Sequence, residues 1–170
     1  VRRFFPREYV DTIHSIDFGD LWRRGFRGLI IDIDNTLETF DIPLPSQPVI
    51  NLLQTLKNQG FSIVLFSNNS RERVSKFCEN LDIPGIWRAR KPGKKGIRRA
   101  LIRLNLPADK AVLIGDQIFT DCWGGNRMGI YTILTRPIAK RDEWTVRLKR
   151  LPEKLVLYMY ERGQKRGNIR

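Results

Sequence analysis

Apolar residues recur along the chain as short runs of strand length, separated by longer stretches in which they return at helical spacing. The first run is Gly28 to Ile33. Pro45-Ser46 then opens a predicted helix carrying Val49, Ile50, Leu52, Leu53 and Leu56 and closing at Gly60, with Ser46 as its expected N-cap. Phe61 to Phe66 is the second strand, and the polar turn Ser67-Asn68-Asn69-Ser70 leads into a helix through about Leu81. A short third strand is expected over Gly85 to Arg88, and Pro92-Gly93 precedes a basic helix ending near Asn105-Leu106-Pro107. Ala111 to Ile114 is the fourth strand, followed by Gly115-Asp116 and a helix through about Arg127. Gly129 breaks that helix, and Ile130 to Leu134 is the fifth strand. Strands alternating with helices predict an α/β fold with a mainly parallel sheet.

Two flanking segments lack this alternation. Residues 1–27 form an arm whose Tyr9, Val10, Ile13, Ile16 and Leu21 are expected to pack on the core at 28–135. Residues 136–170 form a basic tail in which Pro152, tolerated in a first turn, is expected to start a new helix through the apolar run Leu155 to Tyr160. No internal repeat or low-complexity stretch is present, so 170 residues, 41% of them apolar, read as one domain with a sizeable core.

The composition narrows the chemistry. No run of about 18 apolar residues exists to span a membrane. The opening Val1 to Pro6 is too short for a signal peptide, although a start at Val leaves a trimmed terminus open. Cys78 and Cys122 lack metal-ligand spacing and His14 is the single histidine, which argues against a zinc site of the usual kind. Both thiols read as reduced packing residues of a cytoplasmic protein, and His14 as structural.

Charge is the unusual quantity, at +13 from 31 Lys and Arg against 18 Asp and Glu. Residues 88–103 carry eight bases and no acid, and residues 140–170 carry ten bases against four acids. Such clusters suit a polyanionic partner: a phosphorylated substrate, an anionic membrane surface or nucleic acid. A solvated basic face is the alternative.

The strongest chemical signal is Asp32-Ile33-Asp34. Carboxylates at the end of an apolar strand must be paired, hydrated or metal-bound. Asp34 can cap a turn with Asn35 and Thr36. Alternatively, both acids line the crevice at the carboxyl end of a parallel strand, where open α/β sheets bind ligands. The second reading requires further polar residues after later strands, and they are there: Ser67 and Asn68, Lys91, and then Asp116 and Asp121. Right-handed crossovers bring those loops to one edge.

With Asp32-Ile33-Asp34-Asn35-Thr36 as a first motif, Ser67 as a second, Lys91 as a third and Gly115-Asp116 through Asp121 as a fourth, the chain resembles the haloacid dehalogenase (HAD) superfamily of phosphohydrolases. The N-terminal stretch Pro6 to Gly28, the segment Gly115 to Asp121 and Gly124-Gly125-Asn126-Arg127 resemble its subfamily IIIA, YqeG type, which is similar to mitochondrial and plastid phosphatidylglycerophosphatases. The resemblance implies a three-layer HAD-like Rossmannoid fold. It makes Asp32 the nucleophile that forms an aspartyl-phosphate, and Asp34 the acid that protonates the leaving alcohol and then activates water. It implies Mg2+ held by Asp32, Asp34 (through its backbone carbonyl), Asp116 and Asp121, the last through a metal-bound water or else paired with Lys91. Ser67, Asn68 and Lys91, with Thr36 beside them, would hold the phosphoryl oxygens.

Members of the superfamily that enclose small metabolites carry a cap after the first motif or between the second and third. Here Glu38 to Pro45 is one short loop, and 24 positions separate Ser67 from Lys91, so neither place holds a cap. An open site cannot exclude water by itself. Either a large substrate or cover by an oligomeric neighbour is therefore expected, the former being a substrate such as a phospholipid headgroup presented at an anionic membrane, with the protein peripheral on its inner face. A soluble sugar phosphate, nucleotide or phosphoprotein is the alternative. A non-catalytic RNA-binding module is disfavoured, because the catalytic positions are filled and no aromatic-interleaved nucleic-acid motif appears.

Overall fold

A computed structural model describes residues 2–139 and 144–165. Six parallel strands form one sheet: β1 Glu8–Val10, β2 Gly28–Asp32, β3 Ser62–Phe66, β4 Gly85–Ile86, β5 Ala111–Gly115 and β6 Tyr131–Thr135. Their order is β1-β6-β5-β2-β3-β4. The chain steps outward from β2 to β3 and β4, then returns to the other flank of β2 for β5 and β6. Between β2 and β5 the direction of winding reverses, which opens a crevice at their carboxyl ends.

β2 is buried along its whole length, which is why it reads as a nearly unbroken apolar run. Its side chains alternate between faces. Leu29 and Ile31 join a cluster with Val49, Leu53 and Leu56 of α2 (Gln47–Asn58) and with Val74 and Phe77 of α3 (Arg71–Cys78). Phe18 and Leu21 of α1 (Phe18–Arg23), together with Ile13 and Ile16, complete that layer. Ile30 points the other way, into a cluster with Val64, Phe66 and the Ile97, Ala100 and Leu104 face of α4 (Lys94–Leu104). The layers are helix, sheet, helix, and among the described residues no cap domain covers the sheet edge.

Several elements differ from the sequence expectation. The arm contributes β1, whose Glu8, Tyr9 and Val10 pair with Ile133, Leu134 and Thr135 of β6. Three half-buried residues at a sheet edge leave too little periodicity to announce a strand. The strand expected to reach Arg88 ends at Ile86, because Arg88 and Arg90 take left-handed φ values of 44° and 53°. Ser46 does sit at the N-cap of α2, but its side chain caps nothing; its N–H instead donates to Glu38 Oε1 at 2.9 Å. His14 is exposed, so it builds no part of the core.

After β5 the expected single helix is replaced by a π-helical turn, Ile118–Cys122, and then a short α5, Trp123–Asn126. The Cys122 N–H reaches back five residues to the Gln117 carbonyl at 3.3 Å. Finally, Pro152 lies inside one helix, α6 (Trp144–Lys165), rather than starting one. A proline removes one backbone donor there. Downstream packing offsets the loss, since Val156 and Tyr160 are buried and Val156 joins Ile118, Cys122 and Leu134. The tail therefore docks one face on the core, while Leu155, Tyr158 and Met159 stay exposed. Of the basic tail, Lys140, Arg141, Asp142, Glu143 and residues 166–170 lie outside the described residues. Among those described, no helix is long and apolar enough to cross a membrane.

Candidate active site

Asp32 is the last residue of β2 and Asp116 the first after β5, so the crevice at the winding reversal receives both carboxylates. The π-helical turn brings in Asp121, whose N–H donates to the Gln117 carbonyl at 2.9 Å. All three acids are buried, and each offers an oxygen within 4.8 Å of the others. Gly115 permits this approach: a Cβ there would lie 2.4 Å from Asp121 Cγ. Asp121 Oδ2 is fixed by the Gln117 N–H at 3.1 Å and the Thr120 hydroxyl at 3.3 Å.

Lys91 arrives from the loop after β4. Its ammonium donates to Asp32 Oδ1, lies 2.8 Å from Asp121 Oδ1, and sits 5.2 Å from the centre of the Phe66 ring. Burial alone would discharge this lysine, but Asp121 and Asp32 outweigh it and hold the ammonium well above the usual lysine range. Burial pushes the Asp32 carboxyl up; Lys91 pulls it down, and Asp121 and Asp116 push it further up. Asp32 and Asp121 share the Lys91 ammonium, and a carboxylate oxygen of Asp116 lies beside theirs. A hard divalent cation with oxygen ligands fits such a donor set, with Asp32, Asp116 and Asp121 the side chains able to hold it. The Asp34 side chain belongs elsewhere.

Asp34 is engaged by two donors. The Ser67 hydroxyl donates to its Oδ2 at 2.8 Å, and Arg73 Nη2 to its Oδ1 at 3.2 Å. Ser67, expected to bind phosphate, thus contacts the acid/base candidate in this arrangement, and its Oγ also accepts the Asn69 N–H at 3.0 Å. The Asn68 side chain holds the neighbouring loop, with Oδ1 accepting the Lys91 N–H at 2.7 Å. Further bonds, Arg88 N–H to the Asn69 carbonyl and Ala89 N–H to that of Ser67, join the second and third motif loops. Thr36 is buried, and its hydroxyl has no hydrogen-bond partner among the described residues.

Two contributors were not evident from the sequence. Arg73 stands in the first turn of α3, where Ser70 Oγ caps its N–H at 3.3 Å. A base in a helix's first turn opposes the macrodipole, and that mismatch was the available signal. The second is buried Glu153 of α6, whose Oε1 accepts the Ile118 N–H at 2.9 Å and so anchors the turn that carries Asp121. Only a tertiary contact pairs residues 35 positions apart.

Comparison with known proteins agrees with this geometry. A HAD-hydrolase-like family model matches residues 88–158. The "Probable phosphatase YqeG" of Bacillus subtilis is 39% identical over 159 residues, 94% of this chain and 92% of that protein. "Phosphatidylglycerophosphate phosphatase 1, chloroplastic/mitochondrial" of Arabidopsis thaliana is 29% identical over 155 residues, 81% of this chain but 42% of that longer protein. In structure, a HAD phosphatase from Thermococcus onnurineus superposes with a TM-score of 0.56 over 70% of this chain and 90% of its own, at 13% identity, which speaks for the fold alone. Similarity to the Bacillus protein over nearly the full length of both chains, on this sheet order, settles the family: the chain belongs to the HAD hydrolases, as a phosphatase of the YqeG type.

Proposed function

We propose that the protein hydrolyses phosphate monoesters through an aspartyl-phosphate on Asp32, with Mg2+ as cofactor. The observation that carries this reading is the buried cluster of Asp32, Asp116 and Asp121, with Lys91 paired to Asp32 and Asp121, and with Asp34 two residues beyond Asp32. Asp32 oxygen forms a bond to phosphorus as the bond from phosphorus to the substrate alcohol breaks, and protonated Asp34 gives its proton to the departing oxygen. Asp34, now a carboxylate, takes a proton from water; that water attacks phosphorus, releasing inorganic phosphate and regenerating Asp32. The divalent cation, when bound, offsets the repulsion between the carboxylate and the phosphoryl oxygens. Lys91 supplies a fixed positive charge beside Asp32 throughout. Ser67 and Arg73 hold Asp34 in orientation, and exchange of Ser67 from Asp34 to a phosphoryl oxygen reconciles its two contacts.

The substrate we favour is a lipid phosphomonoester such as phosphatidylglycerophosphate, met at the cytoplasmic or organelle-matrix face of an anionic membrane. Supporting this are the name of the Arabidopsis relative, the open sheet edge and the basic segment at 88–103. Each Lys or Arg near such a surface contributes about 1 kcal/mol to retention. The decisive assay presents phosphatidylglycerophosphate in mixed micelles with Mg2+ beside a panel of soluble monoesters. Lipid turnover well above that of every soluble ester is expected; a soluble ester reaching about 10⁴ M⁻¹s⁻¹ in kcat/KM while the lipid is ignored would overturn the substrate assignment. Asp32→Asn must abolish turnover of whichever ester is used, with the circular dichroism spectrum unchanged.

A further inference from the structure

Four large apolar side chains stand in solvent beside the Asp34 turn. Phe40, Ile42 and Leu44, in the loop between β2 and α2, are 53%, 38% and 45% exposed, and Ile138, just beyond β6, is 46% exposed. Single exposed apolar residues are ordinary on any surface. These are not scattered, because both segments are tied to Asn35: its N–H donates to the Glu38 carbonyl at 2.6 Å, and its carbonyl accepts the Ile138 N–H at 3.1 Å. Asn35, at φ 64°, directly follows Asp34. The four side chains therefore flank the turn that carries the acid/base candidate.

The same sheet edge is cationic. Arg71 opens α3, Arg88 and Arg90 lie in the loop after β4, and Lys94 opens α4; all four are exposed. Arg88 and Arg90 hold left-handed backbone on either side of buried Ala89, a conformation that costs a non-glycine residue energy and that leaves both side chains in solvent. Among the described residues, the exposed acids on these loops are Asp41 and Glu72. Apolar prongs bordered on the β3–β4 side by a positive rim match the two layers of an anionic phospholipid surface, acyl region and headgroups. A second copy of the chain fits poorly, since a twofold contact would bring the rim toward its own like charges.

We propose that the loop from Thr39 to Leu44, with Ile138, inserts into the surface of an anionic bilayer while Arg71, Arg88, Arg90 and Lys94 meet the headgroups. The carboxyl edge of the sheet, and Asp32 with it, then faces the membrane. Delivery of a lipid phosphate to Asp32 rests on the phosphatase reading above; the docking itself does not.

The test uses the full chain and sedimentation with vesicles of phosphatidylcholine, alone or mixed with phosphatidylglycerol. Wild type is expected to sediment with the mixed vesicles only. Phe40→Ser/Leu44→Ser is expected to lose that binding by about tenfold or more. Leu155→Ser/Tyr158→Ser, on the exposed face of α6, should retain it. The proposal is overturned if wild type ignores anionic vesicles, if the loop variant binds as wild type does, or if the α6 variant alone loses binding. It is also overturned if wild type is a stable dimer that Phe40→Ser/Leu44→Ser dissociates, since a second copy would then cover the loop. Hydrolysis of p-nitrophenyl phosphate is followed in parallel. Docking by wild type without hydrolysis of either this ester or micellar phosphatidylglycerophosphate would sink the phosphatase reading and leave the docking surface standing, and hydrolysis without docking would do the reverse.

Discussion

Asp34 shows how far one side chain's role depends on its partners. An acid/base group must keep one orientation while its proton leaves and returns. Ser67 and Arg73 supply that orientation from β3's carboxyl end and from α3. Arg73→Ala is expected to lower kcat roughly 10- to 100-fold with KM little changed, because Arg73 acts on the substrate through Asp34. Arg73→Lys should restore only part of it, since an ammonium lacks the planar fork. Steady-state kinetics on a soluble ester separates the two parameters; an equal rise in KM would instead place Arg73 in substrate binding. Gly115→Ala is the complementary probe. Its new Cβ would collide with Asp121, so Mg2+ dependence should weaken and stability fall by about 1–3 kcal/mol, measurable by metal titration and urea unfolding.

Asp32 also sets a pH dependence. Its folded-state pKa is raised by burial and by the neighbouring acids. Without metal, its contribution to stability is therefore present below the ordinary carboxylate range and is lost as pH rises through the elevated folded value. A bound dication offsets that loss, by about 2.7 kcal/mol at a hundred times its Kd. The Tm gain from Mg2+ should accordingly be large at neutral pH and shrink on acidification, as protons compete for Asp32. Differential scanning fluorimetry across pH, with and without Mg2+, tests this, and a gain independent of pH would contradict it.

At the scale of elements, the chain uses short or irregular pieces where the site needs them. A regular α-helix after β5 would place side chains at 3.6-residue spacing. The π-helical turn instead returns Asp121 to the cluster, and α6 locks it through Glu153 to the Ile118 N–H. Glu153→Ala leaves a buried donor without that acceptor, so a loss of about 1–3 kcal/mol is expected in urea unfolding. Activity should drop with it, because the turn carries Asp121. Val156→Ala, removing apolar volume from the same docking face, should destabilise without the extra loss of activity. If both variants lost activity in the same proportion to stability, Glu153 would be a packing residue and no more.

Across the whole molecule, the excess of positive charge bears on an anionic substrate or surface. Attraction between exposed charges is screened within about 10 Å at 0.1 M salt. Turnover of a lipid phosphate in anionic vesicles should therefore fall steeply as salt rises, whereas turnover of a small ester at saturation should change little. Rates measured across ionic strength distinguish these cases.

The candidate catalytic acids and Lys91 were legible in the chain because each follows a strand-like apolar run, and a parallel sheet sends all such ends to one edge. The family followed from the order of those motifs. Local pattern could not reveal β1, whose three residues become a strand only by pairing with β6, nor the end of β4 at Ile86, which depends on the backbone angles of Arg88. Nor could it reveal that Arg73 meets Asp34 across 39 positions, or that Glu153 holds the Asp121 turn. The sequence by itself determined which chemical groups are present and that a parallel sheet would gather them. Tertiary structure alone decided which donor serves which acid, and which apolar side chains are left in water. Those outcomes depend on distance and burial in the packed chain, quantities that periodicity along it does not contain.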